Sequence, residues 1–257
     1  MSTPSGRVSI PSRRVGAGPG AGRATSLDGV IVGIDSSIGT AVAVIDPNGL
    51  VRARGDSRDP HGHAEAIGTL LADALTAAAA APALGEVAAA GAVSADPITH
   101  VAVGMGPGPF TGLRVGIAAA RAFALARDIP VLPVVSHDAV ALAVQLAAAI
   151  AGDDPGRFAV VTDARRRERA FTVYDGEDAA GLPIRATEPA LVADADLDAR
   201  LAALGAARCD ATGVDAAMVA LVASRALAAG RASGPATPLY LRAPDVAAPA
   251  PSRRVGA

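Results

Sequence analysis

The sequence has no lysine and no tryptophan, one cysteine, four phenylalanines and two tyrosines. With a single Cys209, neither a disulfide framework nor a cysteine metal cage is available, and a small buried residue near a strand end is expected there. So few aromatics rule out a stacking platform for single-stranded nucleic acid. All 23 basic residues are arginine; beside so much Ala, Gly and Pro, this reads as a compositional habit rather than as chemistry. Net charge is −2, so no global basic field marks a nucleic-acid binder. Long apolar runs are also missing. Residues 139–152 carry no charge, but they include Gln145 and fall short of the ~20 residues a membrane span needs. They read as a buried helix. No apolar core of a secretory signal stands near the start, and the expected location is the cytoplasm.

What is present is a chain of 257 residues, about half apolar, enough for one large or two small cores. Residues 1–27 contain no acid and are mostly Gly, Pro, Ser and Arg, a composition that cannot offset its ordering entropy. A disordered extension or an early start codon is expected; a transit peptide ranks lower, since no apolar stripe accompanies the arginines. Residues 244–257 read as a second tail. The seven residues PSRRVGA occur at both 11–17 and 251–257.

Between the tails, α and β patterns alternate. VIVGID at 30–35 is a continuous β-branched run, as in a strand covered on both faces. A second strand at 40–46 ends at a Pro-Asn-Gly turn, and a more polar edge strand follows at 50–56. A helix begins near Gly62, with Ile67, Leu70, Leu71 and Leu75 on one face. Residues 77–95 are Ala-rich, and Pro82 and Gly85 must interrupt any helix there. A strand at 100–106, a helix capped by Thr111 and running to Arg127, a strand at 130–136 and a helix at 137–150 complete the first half. The second half predicts strands at 158–164 and 169–176, a strand-like 182–192, a helix at 196–204, a strand at 208–213 and a helix at 215–229. Asp35 and Asp46 close successive strands, as Asp163 and Asp175 do, at nearly equal spacing. This internal repeat predicts a duplicated α/β lobe, the second copy shorter by about one βα unit, with a cleft between them.

Three segments carry a resemblance: GIDSSIGTAVAVID at 33–46, GMGPGPFTGLRVG at 104–116 and TDARRRE at 162–168, with HAE at 63–65 and PLYLR at 238–242 as weaker matches. Together they resemble the TsaB family, over about residues 30–241. Pro109 stands where Ser is commoner in that family, and Arg169 and Ala170 where Val and an aromatic are usual. The resemblance implies a two-lobed actin-like (ribonuclease H-like, duplicated) α/β fold with an abbreviated second lobe, in lobes 28–152 and 153–243. It implies a non-catalytic subunit that pairs with the catalytic subunit TsaD and recruits the ATPase TsaE. That complex moves a threonylcarbamoyl group from its adenylate onto the adenosine beside the anticodon of tRNA. The chain itself would need no cofactor, would meet tRNA only indirectly, and would encounter ATP or ADP at an interface with its partners. A homodimer is the state open to it when alone.

The candidate residues follow. The glycine-rich 104–112 leads into a helix N-terminus, where backbone N–H groups and the dipole favour an anion. It is not a P-loop, having no Gly-Lys-Ser/Thr. Asp35, Ser36, Gly106, Gly108 and Thr111 are therefore the candidate phosphate or nucleotide residues; the alternative is a turn whose glycines allow tight packing. Arg165, Arg166 and Arg167 form the one dense basic cluster, a candidate tRNA or nucleotide contact, or a solvated turn. His61 and His63, two apart, do not share a helical face as metal ligands at four-residue spacing would, and no metal is expected; His100 and His137 read as structural. The helix at 113–127 is apolar on two faces, with Val115, Ala118, Ala119 and Ala122 opposite Leu113 and Ile117. With Ile67, Leu70, Leu71 and Leu75 it forms the candidate partner interface. The rival reading is an actin-like kinase or ATPase with Asp35 as base. Against it, the second hairpin carries Arg165 to Arg167 where a glycine-rich phosphate loop would stand. A plain homodimeric interaction module is the third reading.

Overall fold

The protein is described by a computed structural model over residues 29–59, 62–80 and 97–242. The expected tails, the repeated PSRRVGA segments, His61 and most of the Ala-rich stretch lie outside these residues. The first half forms β1 (Val30–Asp35), β2 (Thr40–Ile45), β3 (Val51–Ser57), α1 (His63–Ala80), β4 (Ile98–Gly104), α2 (Phe110–Arg127), β5 (Val131–Val134) and α3 (Ser136–Ala151). The second half forms β6 (Arg157–Asp163), β7 (Glu168–Glu177), β8 (Pro183–Arg185), β9 (Ala190–Ala193), a 3-10 turn at Asp194–Asp196, α4 (Leu197–Ala203), β10 (Ala207–Asp210) and α5 (Ala216–Ala228).

Each half builds one sheet. The first is ordered β3-β2-β1-β4-β5, with β1–β2–β3 antiparallel and β1, β4 and β5 parallel. The second is ordered β10-β6-β7-β8, with β6–β7 antiparallel, β6–β10 parallel and β9 also pairing with β7. The repeat read from the aspartates is therefore real, and among the described residues the second copy lacks a counterpart of β5. The polar β3 lies at an edge, and β1 is buried on both faces, as their compositions predict.

Alternation along β1 divides two cores. Val30, Val32 and Ile34 face α1 and α2, through Ile67, Ala74, Leu113, Ile117 and Ala120. Ile31 faces the other way, onto α5 and the start of α3. Gly33 makes that second layer close: a Cβ there would lie 2.0 Å from the Ala216 carbonyl oxygen. So α5, from the second half of the chain, covers the first sheet. In return α3, from the first half, packs Ala141, Val140 and Val144 against Phe158, Val160 and Tyr174 of the second sheet. The lobes exchange helices across the chain division near residue 152.

Three expectations need correction. β4 runs Ile98–Gly104 rather than 100–106: Met105 N–H still donates to the Val134 carbonyl at the end of β5, but Gly106, with φ of 94°, turns the chain out of the sheet, where its carbonyl accepts from Ser136 N–H. The strand-like 182–192 is two short strands. Between them Ala186 and Thr187 N–H groups both donate to the Val173 carbonyl, and the Thr187 hydroxyl accepts from Val173 N–H, which folds the chain back. Thr111 does not cap α2. Pro109 occupies the cap with no side-chain bond, since its carbonyl already accepts from Leu113 N–H at 3.1 Å, which places Thr111 inside the first turn.

Candidate functional site

The end of β1 feeds a tight turn, and that turn is filled by its own chain. One oxygen of Asp35 accepts from the Ser37 hydroxyl at 2.6 Å and the Ser37 N–H at 2.8 Å. The other accepts from the Ser136 hydroxyl at 2.6 Å. Burial raises the Asp35 carboxyl above the ordinary carboxylate range, while the bonds from Ser136 and Ser37 oppose that rise. Gly104 is required beside it: a Cβ there would stand 1.8 Å from Asp35 Oδ2. The Ser36 hydroxyl donates to the Gly112 carbonyl at 2.8 Å, and a Cβ on Gly116 would meet it at 2.1 Å. Gly108 lies against Ser37 in the same way, its Cβ position 2.8 Å from the Ser37 Cα. The glycines of the 104–116 segment thus let α2 and its loop sit directly on the β1–β2 turn.

The open space lies on the other side of that loop. A cleft of about 650 Å³ is walled by Pro107, Gly108, Thr111 and Val115 on the first lobe and by Thr162, Arg165 and Leu191 on the second. The C-terminal segment closes its side. Leu239 N–H donates to the Met105 carbonyl at 2.8 Å, Tyr240 packs on Phe110 with ring centroids 4.3 Å apart, and Arg242 pairs with Glu168. Arg114 lies over the other ring of that pair, its guanidinium carbon 3.6 Å from the Phe110 centroid. His63 stands at the cleft's inner wall, its Nδ1 bonded to the Thr40 hydroxyl at 2.8 Å.

The second-lobe turn that rims the cleft is unusual. Arg165, Arg166 and Arg167 all adopt left-handed backbone, with φ of 63°, 53° and 61°. The turn is held by Ala164 N–H to Glu168 O and Glu168 N–H to Arg165 O, both at 3.0 Å. At the equivalent turn of the first lobe, the left-handed position is Gly39, with φ of 75°.

The first turn of α3 joins the lobes through three consecutive side chains. Ser136 bonds Asp35 in the first lobe. His137 bonds Thr172 and Thr162 in the second lobe at 2.8 and 3.0 Å, and burial, with Arg185 nearby, lowers its pKa to about 3. Asp138 accepts from the Tyr174 hydroxyl at 2.7 Å and from Arg185 through both oxygens at 2.7 and 2.6 Å. Burial, with Asp138 beside it, drives the Tyr174 phenol well above its usual range.

Of the candidate phosphate residues, Gly108 and Thr111 line the cleft, whereas Asp35, Ser36 and Gly106 are buried behind it. Arg165 and Arg166 line it; Arg167 points elsewhere. Among the candidate interface residues, Ile67 is only 6 % exposed and belongs to the first-lobe core, which removes it from any partner surface. Leu70, Leu71, Leu75, Val115 and Ala119 are half-buried against that core, and Ala118 and Ala122 are exposed. Cys209 is half-buried on β10, with burial raising its thiol. Among the described residues no cluster of metal-ligating side chains occurs, and no helix is long and apolar enough to cross a membrane. The structural reading of His137 fits its place between the lobes, whereas sequence reasoning passed over Ser136 and Asp138, although a polar triplet at the start of a largely apolar helix is a visible signal. It also did not place His63 and Tyr240 as cleft walls; the HAE and PLYLR matches that contain them carry no sign of where they pack.

Two sheets of one topology, with exchanged helices and a cleft between them, define an actin-like α/β protein of two lobes, the second abbreviated. A family model described as "TsaD: tRNA N6-adenosine threonylcarbamoyltransferase" matches residues 62–192, half of the chain, and the chain belongs to that family. An uncharacterized protein of Mycobacterium tuberculosis is 42% identical over 159 residues, 56% of this chain and 64% of the relative. The match therefore spans just under two thirds of that curated relative's length. Among solved structures, a Pseudomonas aeruginosa protein described as similar to peptidase YeaZ aligns with a TM-score of 0.61 at 23% identity, over 83% of this chain and 100% of its own. YeaZ from the same organism aligns with a TM-score of 0.59 at the same identity and coverage. These two likenesses are of fold.

Proposed function

We propose that the chain is a non-catalytic scaffold subunit in the synthesis of threonylcarbamoyladenosine in tRNA, and that it docks a TsaD-like catalytic subunit through α2. A TsaE-like ATPase is the third member of the assembly, tRNA is engaged through the partners, and the reaction is cytoplasmic. The observation that carries the reading is the outer face of α2. Its inner residues Leu113, Ile117, Ala120 and Ala124 are spent on the first-lobe core. Ala118, Ala122 and Leu125, which is 83 % exposed, are left on the outside beside the half-buried Val115 and Ala119. Small side chains of this kind let a second helix approach at the close end of the ~8–10 Å range. The rival kinase reading needs a free carboxylate oxygen on Asp35 to accept a substrate proton. Both oxygens are bonded within a buried turn instead.

The test is co-purification of the full chain with a tagged TsaD-like subunit from the same organism. Wild type is expected to form a stoichiometric complex, and Ala122→Arg to lose it by clash and by stranding a charge in an apolar seam. Because Ala122 is exposed, the free variant should keep its stability within about 0.5 kcal/mol. A folded variant that still binds normally would place the interface elsewhere. Nucleotide hydrolysis by the chain alone, on the order of 1 per second or faster, would overturn the scaffold reading.

A further inference from the structure

We infer that the chain carries a site for a small zwitterion of the amino-acid class, in a pocket that shares no lining residue with the cleft described above. This goes beyond the scaffold reading and needs no partner. The pocket, about 260 Å³, is walled by Asp178, Leu182, Pro183 and Arg185 of the β7–β8 hairpin, by Asp138 at the start of α3, by Val222 and Ala226 of α5, and by residues 231–233. It is smaller than the ~300–1,000 Å³ of drug-sized sites, so its ligand is smaller too.

Its polar walls are two ion pairs. Arg185 grips Asp138 twice, Nε to Oδ1 at 2.7 Å and Nη2 to Oδ2 at 2.6 Å. Arg231 Nη2 donates to Asp178 Oδ2 at 2.6 Å. Both acids are anchored from behind. Asp138 is only 6 % exposed, and its Oδ1 also accepts from the Tyr174 hydroxyl. Asp178 Oδ1 accepts from the N–H groups of Ala180 and Leu182 at 2.8 and 3.0 Å. The Leu182 N–H, and then Arg231, hold the Asp178 carboxyl below the ordinary carboxylate range, so it is charged at neutral pH. Neither pair is saturated. Among the described residues, Asp138 Oδ2 and Asp178 Oδ2 each accept one bond, from their arginines, and a carboxylate oxygen has room for a second. Arg231 Nε and Nη1 donate to none of the described residues, and Arg185 Nη1 meets only the exposed Glu188, at 3.3 Å.

Spare donors beside spare acceptors define the ligand. The two arginines and two aspartates of the wall sum to no net charge. A lone anion on the guanidinium groups would stand next to both carboxylates, and a lone cation on the carboxylates next to both guanidinium groups. A molecule with both charges close together meets an opposite charge at each end, its carboxylate on Arg231 and its ammonium on Asp178. The Ser233 hydroxyl donates to the Pro133 carbonyl at 2.7 Å, which leaves its oxygen to accept a further ammonium proton. Leu182, Val222 and Ala226 give a short side chain an apolar wall.

Chemical-shift titration of the full chain with L-alanine, N-acetyl-L-alanine and L-alaninamide tests the assignment. L-Alanine should bind saturably, once per chain. Each derivative has lost one charge and should bind at least about tenfold more weakly. Two variants read the charges separately. Arg231→Gln and Asp178→Asn each remove one charge from a partly exposed side chain, and Asn keeps an oxygen for the Ala180 and Leu182 N–H groups, so both should stay folded by circular dichroism. Each should weaken L-alanine by about tenfold or more. Each should also shift the preference relative to wild type, Asp178→Asn toward the anion N-acetyl-L-alanine and Arg231→Gln toward the cation L-alaninamide. Loss of fold alone would not produce those opposite shifts. No saturable binding of L-alanine at tens of millimolar overturns the site. Equal binding of L-alanine and either derivative overturns the zwitterion assignment, as does an unchanged preference in both variants.

Discussion

The two lobes begin alike and part at their first turn. β1 and β6 each end at an aspartate, each pairs antiparallel with the next strand, and each pairs parallel with a later one. In the first lobe the aspartate is buried, the turn relaxes through Gly39, and the 104–116 loop is pressed onto it. In the second lobe Asp163 is exposed, the turn runs through three left-handed arginines, and it rims the cleft. Duplication supplied two equivalent turns. One became an internal joint, saturated with hydrogen bonds, and the other a charged rim.

The largest perturbation of that comparison is at Gly33. The first sheet depends on α5 from the second half, and the contact has no room for a side chain. Gly33→Val should cost about 3 kcal/mol or more, the upper end for overpacking, because the obstacle is the Ala216 backbone. Urea denaturation followed by circular dichroism measures it. A midpoint equal to wild type would show that α5 is not integral to the first lobe.

Next in size is a pH effect at the joint between lobes. His137 is held neutral, its pKa lowered by burial and by Arg185 from the ordinary 6.5 to about 3. A depressed histidine pKa means that the unfolded chain binds the extra proton. The stabilisation is complete above the unfolded value and is lost as pH falls from about 6.5 toward 3. The slope from this one group is at most about 1.4 kcal/mol per pH unit. Stability measured from pH 7.5 down to 4.5 should lose that share of its slope in His137→Gln, which can still meet one threonine hydroxyl. Identical slopes in both proteins would assign the acid sensitivity to other groups.

The smallest effect sharpens the contrast of the two turns. Arg167 has left-handed backbone and lies outside the cleft wall. Arg167→Gly should stabilise the chain by about 1 kcal/mol, by relieving the turn as Gly39 already does in the first lobe. Thermal denaturation at neutral pH resolves such a shift. A lower melting temperature would mean that the Arg167 side chain contributes more than its backbone costs.

The alternation of β-branched runs with 3.6-period stripes, broken at Gly, Pro and Asp, determined by itself the order and type of the elements in this chain, apart from the division of 182–192 into two strands. It also determined the duplication, because both hairpins obey the same local rules. The tertiary structure alone decided where the halves meet. An alanine- and valine-rich helix such as α5 can cover either sheet, and only the missing Cβ at Gly33 and the shape of the first sheet select one. The same holds for Asp35. As a residue at a strand end it could be a base, a metal ligand or a turn cap. Its role was decided by Ser136, 101 positions away, whose hydroxyl takes the second carboxylate oxygen. Hydrogen bonds and burial between distant segments carry no local period, so the sequence named the candidates while the packing assigned their partners.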